Sequence, residues 1–311
     1  MQASSDRIVV LGTGGTIAGT AARPGDHLGY RAGQLGVQQL LAGLPSLASL
    51  QVVSEQVAQI DSKDLGFDTW QVLAARCAHW LQQPDVRGVV ITHGTDTVEE
   101  TAYLLHRVLA PDKPIVLTCA MRPATAVAPD GPQNIIDAFA VASTPGARGA
   151  VLVCAGVVHG AADVRKVHPY RLDPFTSGDA GPIGYVEDGK LRQVRDWPVA
   201  PAPGDLLRKI AGSRSWPRVE IVLSHAGAGG RLVQALVADG VQGIVVAGTG
   251  NASVHQALED ALLEAAAKGV RVVRSTRCMD GRVIAQAQDR LPAHPLAPVK
   301  ARIDLLLELM A

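Results

Sequence analysis

The chain has 311 residues, room for two domains or one large one, and 47% of them are hydrophobic, enough for a sizeable core. Its 29 lysines and arginines balance its 29 aspartates and glutamates, so no global basic field points to nucleic acid and no basic cluster to a membrane surface. Aromatic residues, 4% of the chain, are too few for single-strand stacking platforms, and no apolar run approaches the roughly 20 residues of a membrane span.

The opening segment, MQASSDRIVVLGT, lacks the basic start and long apolar stretch of a secretory leader, and this predicts a reducing cytoplasm. Residues 8–11 read as a first buried strand that runs into the glycine-rich turn Gly12-Thr13-Gly14-Gly15-Thr16. Residues 18–31 carry Gly19, Pro24, Gly25 and Gly29 among polar neighbours; with little to bury and many permissive dihedrals, they predict a mobile loop. A helix is expected over residues 35–44 and a strand over 50–60. After Asp61-Ser62-Lys63-Asp64, Trp70, Leu73, Cys77 and Leu81 fall on one face of a helix that starts near Asp68.

The stretch RGVVITHGTDTVEET, residues 87–101, organises the rest. Val89, Val90 and Ile91 predict a buried strand. Thr97 and Glu100 have the spacing of a capping box and predict a helix beginning after Thr97. Between strand and helix, His93-Gly94-Thr95-Asp96 presents an imidazole, a hydroxyl and a carboxylate at the carboxyl end of a strand, where open α/β sheets bind ligands. The free N–H groups of the helix start suit an anion or oxyanion. Two readings of Asp96 and Thr97 stand side by side: ligand site or helix cap.

Further strands are expected over residues 114–119 and 150–154, with a helix opened by Asp130-Gly131-Pro132 between them. The alternation of strand and helix predicts a mostly parallel sheet flanked by helices. Residues 183–194 alternate around Asp188-Gly189 and predict a hairpin. Residues 196–217, rich in proline and charge, read as a linker. Beyond it, strands near 219–223, 243–247 and 270–274 alternate with helices near 231–239, 254–268 and 298–310, a smaller C-terminal α/β domain. The expected domains are residues 1–195 and 218–311. Cys77, Cys119, Cys154 and Cys278 show no C-x-x-C and no histidine at metal-ligand spacing, so they read as buried free thiols and no metal site is expected.

The glycine turns invite a dinucleotide reading, but Ile17 stands where the fingerprint needs a small residue and there is no phosphate-loop lysine. Thr16 and Thr95 each follow a strand and a glycine. Each opens onto the same sheet edge, and a hydroxyl there is a nucleophile once a base or cation activates it.

LGTGGTIAG (residues 11–19) together with ITHGTDTVEETAYLL (91–105) resembles the bacterial L-asparaginase and glutaminase-asparaginase family. The similarity continues through AMRP (120–123), DGPQN (130–134), residues 163–166, AGTGN (247–251) and RSTR (274–277), over essentially the whole chain. The resemblance implies an amidohydrolase that releases ammonia from asparagine, with glutamine as alternative main substrate, and needs no cofactor. It makes Thr16 the nucleophile, Tyr30 its proton partner, and Thr95, Asp96 and Lys166 a second hydrogen-bonded set. It places Asp61, Ser62, Thr95, Asp96 and the backbone of Ala120 around the substrate, Ser62 on its α-carboxylate and Asp96 on its α-ammonium. It also implies a homotetramer of two tight dimers, in which Ser253 and Gln288 complete a neighbouring subunit's site. Lys63 and Gln288 depart from the pattern: relatives commonly carry glutamine and glutamate there, with Asp289 in the glutamate's place if the alignment shifts by one. Ser253 and Gln256 also have the spacing of a capping box, so Ser253 reads equally as a helix cap. A nucleotide-dependent oxidoreductase and a non-catalytic amino-acid sensor are the competing classes. The first lacks a complete glycine fingerprint, and the second predicts loss of some of Thr16, Tyr30, Thr95 and Lys166, all of which are present.

Overall fold

The structure is a computed structural model describing residues 7–23 and 25–310. The leader reading of residues 1–6 and the place of Pro24 in the loop lie outside the described residues. The chain divides into two compact units, residues 1–207 and 208–311.

In the first unit, β1 (Arg7–Gly14) leads to the small hairpin of β2 (Thr20–Ala21) and β3 (Tyr30–Arg31), then α1 (Val37–Ala42) and β4 (Val52–Ile60). There follow α2 (Phe67–Leu81), β5 (Val86–Thr92), α3 (Val98–Leu109), β6 (Ile115–Thr118), α4 (Gly131–Ala142) and β7 (Ala150–Cys154). β8 (Val157–Gly160), the short pair β9 (Arg165–Lys166) and β10 (Phe175–Thr176), β11 (Gly184–Glu187) and β12 (Lys190–Gln193) complete it. Eight strands form one sheet in the order β12-β11-β8-β7-β6-β5-β1-β4. The five from β7 to β4 are parallel. Except in the rim strand β4, their β-branched runs are buried on both faces, as a parallel sheet with helices on each side requires. On one face Ile8, Val10, Val90, Val116 and Val151 pack with Ile135 and Phe139 of α4 and Val37 of α1. Alternation along the strands turns Val9, Leu11, Val89 and Ile91, all fully buried, the other way. α2 and α3 contact β5 and β7.

The sheet turns antiparallel at β8, which folds back on β7 through Ala155-Gly156, both with positive φ. The β11–β12 hairpin closes through Asp188 (φ 49°) and Gly189 (φ 72°), as the alternation around Asp-Gly predicts. The stretch read as a linker contains a short helix, α5 (Leu206–Gly212). The second unit holds β13 (Val219–Leu223), α6 (Arg231–Ala238), β14 (Gly243–Gly248), α7 (Gln256–Ala267), β15 (Arg271–Thr276) and α8 (Pro298–Leu309). Its three parallel strands run β13-β14-β15 over a core of their own that includes Val222, Ile244, Val246, Leu258 and Leu262. The fold is therefore α/β throughout. Cys77, Cys119 and Cys154 are buried as expected; Cys278 is exposed, because it follows the end of β15 rather than lying in an apolar run.

Candidate active site

Four neighbouring parallel strands, β6, β5, β1 and β4, end at one edge of the large sheet, and the turns that follow them carry most of the predicted residues. The turns are held together by backbone contact. Gly14 (φ 101°) and Gly15 (φ 81°) take dihedrals that disfavour a side chain. A Cβ on Gly14 would stand 2.5 Å from the Ile60 carbonyl oxygen, and one on Gly15 would stand 2.3 Å from Gly94 Cα. The Gly15 N–H donates to Ile60 O at 2.8 Å, and Thr13 Oγ1 donates to Thr92 O at 3.0 Å. The turn bearing Thr16 is thus pressed against the turn bearing Thr95.

Each threonine has its own partner. Thr16 Oγ1 and the Tyr30 hydroxyl are hydrogen-bonded at 2.6 Å. Tyr30 comes from the β2–β3 hairpin, inside the segment expected to be a loop, and its ring lies over Gly19, where a Cβ would come within 2.8 Å of it. Lys166 Nζ donates to Thr95 Oγ1 at 2.8 Å and to Asp96 Oδ1 at 2.6 Å. Of the adjacent pair Arg165-Lys166, the lysine reaches the threonine. Thr16, Thr95 and Ser62 are buried, whereas the Asp96 side chain is half exposed. Hydroxyl, ammonium and carboxylate therefore meet at a site open to solvent on the carboxylate side, and α3 starts just beyond it.

Ser62 joins this group from the turn after β4: its Oγ accepts the Asp96 N–H at 3.2 Å. The Thr97 hydroxyl donates to Ser62 O at 2.8 Å and makes no side-chain cap. The capping-box expectation is corrected here: α3 begins after Thr97, but the hydroxyl fastens two turns together instead of closing the helix end. Lys63 Nζ is taken by Asp61 at 2.5 Å and by Asp64 at 3.3 Å, and its side chain is 60% exposed. The cation that departs from the family pattern is thus neutralised by its neighbours. Asp61 also accepts the Lys63 N–H at 3.4 Å.

His93 is fully buried between Gly94 O (Nδ1, 2.8 Å) and Thr101 Oγ1 (Nε2, 3.0 Å), and Thr101 in turn accepts from Trp70 Nε1 at 2.9 Å. Burial lowers its pKa to about 4. The ring is a neutral strut for the turn.

Asp130 and Asn134 support Ala120. The Asp130 carboxylate accepts the Met121 and Arg122 N–H groups at 2.8 and 3.0 Å. Asn134 donates to Cys119 O and accepts from Ala155 N, both at 2.9 Å. Neither role is visible in spacing, although both residues fall in the DGPQN motif. The close approach of Gly94 to Ser62 was equally hidden, since it joins turns 32 positions apart.

Ser253 and Gln288 belong to the second unit. Ser253 pairs with Thr249 through two backbone bonds, 2.7 and 2.8 Å. It does not cap α7: His255 does, accepting the Ala257 N–H at 3.3 Å, because the helix starts two residues later than its pattern suggests. Gln288 is exposed and bonds to Gln286. Asp289 is bound by the buried Arg274 guanidinium and by the Gln286 N–H at 2.7 Å. Among the described residues no cluster of three or more His, Cys, Asp or Glu could hold a metal ion.

Residues 7–198 match the family model "Asparaginase, N-terminal" and residues 218–311 match "Glutaminase/Asparaginase C-terminal domain". The chain is 39% identical over 306 residues to the glutaminase-asparaginase of Pseudomonas fluorescens biotype A, covering 95% of this chain and 84% of that one. It is 36% identical over 311 residues to L-asparaginase 2 of Escherichia coli (strain K12), covering 97% and 88%. A crystal structure of a probable cytoplasmic L-asparaginase from Campylobacter jejuni superimposes with a TM-score of 0.89 at 36% identity, over 98% of this chain and 95% of that one. By sequence along nearly its whole length, and by fold, the chain belongs to the asparaginase family.

Proposed function

We propose that the chain hydrolyses the side-chain amide of L-asparagine to L-aspartate and ammonia, through an acyl-enzyme on Thr16. The observation that carries this reading is the separate pairing of the two threonines on turns in backbone contact: Thr16 with a phenol, Thr95 with an ammonium and, through it, a carboxylate. Thr16 Oγ1 attacks the amide carbonyl while its proton passes to the Tyr30 oxygen and the phenol's own proton moves on toward the amide nitrogen. The N–H groups at Thr95 and Ala120 polarise the carbonyl and hold the oxyanion. The amide nitrogen takes up a proton and leaves as ammonia. Lys166 then supports a developing alkoxide on Thr95, or the water that cleaves the ester. Ser62, with Asp61 next to it in the turn, takes the substrate's α-carboxylate, and Asp96 receives its α-ammonium. Asparagine and glutamine differ by one methylene, about 1–3 kcal/mol of pocket discrimination, so glutamine is a second substrate. Relatives named L-asparaginase and glutaminase-asparaginase support both.

The active form is a tetramer of two tight dimers, in which residues 218–311 lend Ser253 and Gln288 to a neighbouring subunit's site. The neutral Gln288 weakens the hold on the substrate's ammonium. The C. jejuni protein, titled probable cytoplasmic, supports the same location for this chain; the Haemophilus influenzae relative is named periplasmic.

The test is ammonia release from L-Asn, L-Gln and D-Asn by wild type, Thr16→Ala and Thr95→Ala, across gel-filtration fractions. Wild type releases ammonia from L-Asn, and each variant loses at least about a hundredfold. Full activity in either variant removes that residue from the mechanism. No release from any of the three amides by wild type sinks the activity, and full activity in monomer fractions sinks the shared site.

A further inference from the structure

Among the described residues, the hairpin that delivers Tyr30 to Thr16 is fastened to the rest of the first unit at its base, through the Tyr30 hydroxyl and along β2. At its base, Gly33 N–H donates to Gly15 O at 3.0 Å, and Gln34 and Leu35 N–H donate to Ala18 O at 2.7 and 2.9 Å. Further out, two bonds tie β2 to the turn after β6: the Ala124 N–H donates to Gly19 O at 2.9 Å, and the Ala21 N–H donates to Thr125 Oγ1 at 2.9 Å. The second is the outermost of these ties and is made by a side chain. Beyond it the tip is satisfied from within, Asp26 Oδ1 accepting Leu28 and Gly29 N–H at 3.1 and 2.6 Å, and Leu28 is 81% exposed. Ala21 pairs in register with Tyr30, so what holds Ala21 holds the phenol.

The turn that supplies Thr125 is the one that begins at Ala120. Its first amides are pinned by the Asp130 carboxylate. The same short segment thus carries, at one end, the backbone proposed to meet the substrate carbonyl and, at the other, the catch for the hairpin.

We propose that Thr125 is a positioning residue, a latch that holds the Tyr30 hairpin closed over Thr16 and couples closure to the Ala120 turn. Its hydroxyl touches neither substrate nor reacting atoms; it acts through Ala21 and its strand partner Tyr30. Thr125 is exposed, so its loss leaves the core intact. The proposal rests on the reading of Thr16 and Tyr30 above, but its first measurement needs no turnover.

The variants are Thr125→Val, isosteric without the hydroxyl, and Thr125→Ser, which keeps it. In the free enzyme, hydrogen exchange across residues 19–31 should rise in Thr125→Val by about two- to tenfold, the loss of one hydrogen bond, and return toward wild type in Thr125→Ser. The urea midpoint should not move. With L-asparagine, KM should rise by a smaller factor than exchange, because the closed fraction, which falls less than the open fraction rises, scales the apparent affinity, while kcat stays within about twofold, since the closed complex has the same chemistry. Unchanged exchange in Thr125→Val overturns the latch. So does a fall in kcat at constant KM, or an effect that Thr125→Ser shares in full. Raised exchange in an enzyme inactive toward every amide would sink the proposed reaction and leave the latch standing.

Discussion

A methyl group at Gly94 would stand 2.4 Å from Ser62 Oγ and 3.1 Å from Gly15 Cα. The turns after β1, β4 and β5 meet at that point, and none can retreat without moving a threonine. Gly94→Ala is therefore expected to lower stability by about 1–3 kcal/mol through overpacking and to lower ammonia release more steeply, since Thr95 is the next residue. Urea unfolding beside the ammonia assay checks this, and a variant with both properties intact would contradict it. The hydroxyls themselves stood out in the sequence because each follows a strand and a glycine. Their partners did not: Lys166 is 71 positions from Thr95, and only the family resemblance singled it out before the pairing was seen. Thr97 and Ser253 show the opposite case. Both fit a local capping pattern, yet Thr97 gives its hydroxyl to Ser62 O, and the Ser253 backbone is engaged by Thr249. For Thr97 a tertiary partner won over the helix end, and for Ser253 a bridge four residues back did.

Helix α4 does more than cover the sheet. Asp130 precedes its first turn, and its carboxylate is spent on the two amides after Ala120, with no side-chain cap on its own helix. Asp130→Ala leaves two N–H groups without their acceptor, a cost of about 1–3 kcal/mol. It should lower the urea midpoint and kcat/KM together, with Asp130→Asn intermediate, because one amide oxygen can still accept. No change in either measurement would show that the turn holds its shape unaided. The parallel strands and the helices between them were legible because long β-branched runs and amphipathic periods persist over many residues. β8 was not: four residues after a left-handed Ala-Gly turn carry too little pattern, and its antiparallel pairing with β7 is a property of the sheet. β2, β3, β9 and β10 are two residues each, too short for any period to register.

His93 and His106, two of the buried histidines, tie the stability of the fold to pH. His93 lies wholly inside and His106, on α3, is 3% exposed; burial brings both pKa values down to about 4. In the unfolded chain histidine titrates near 6.5, so between about pH 6.5 and about pH 4 the unfolded state binds more protons than the folded one. Stability present above the unfolded value is then lost as pH falls through this window, by on the order of 3 kcal/mol for each histidine. Urea unfolding at about pH 7.5 and about pH 5 should show this fall, and His106→Gln should about halve it. A flat profile in wild type would mean that both rings bind protons inside the fold. The division into two units with separate cores was largely readable from the return of α/β alternation after residue 217. The short helix α5 was not, because its neighbours are prolines and charges that read as linker.

The order of strands has a consequence for how copies of the chain meet. An uncovered strand at the rim of a sheet is a template on which another chain can extend it, the route to aggregation. The large sheet ends on one side in β12, four residues with Lys190 and Arg192, and on the other in β4, where Ser54, Glu55 and Gln56 interrupt the apolar residues. Both rims are poor templates. The small sheet ends in β13, five residues whose lone charge is Glu220 and whose Ile221 and Leu223 side chains are exposed. If sheets of separate copies ever join edge to edge, that strand is where the growth begins.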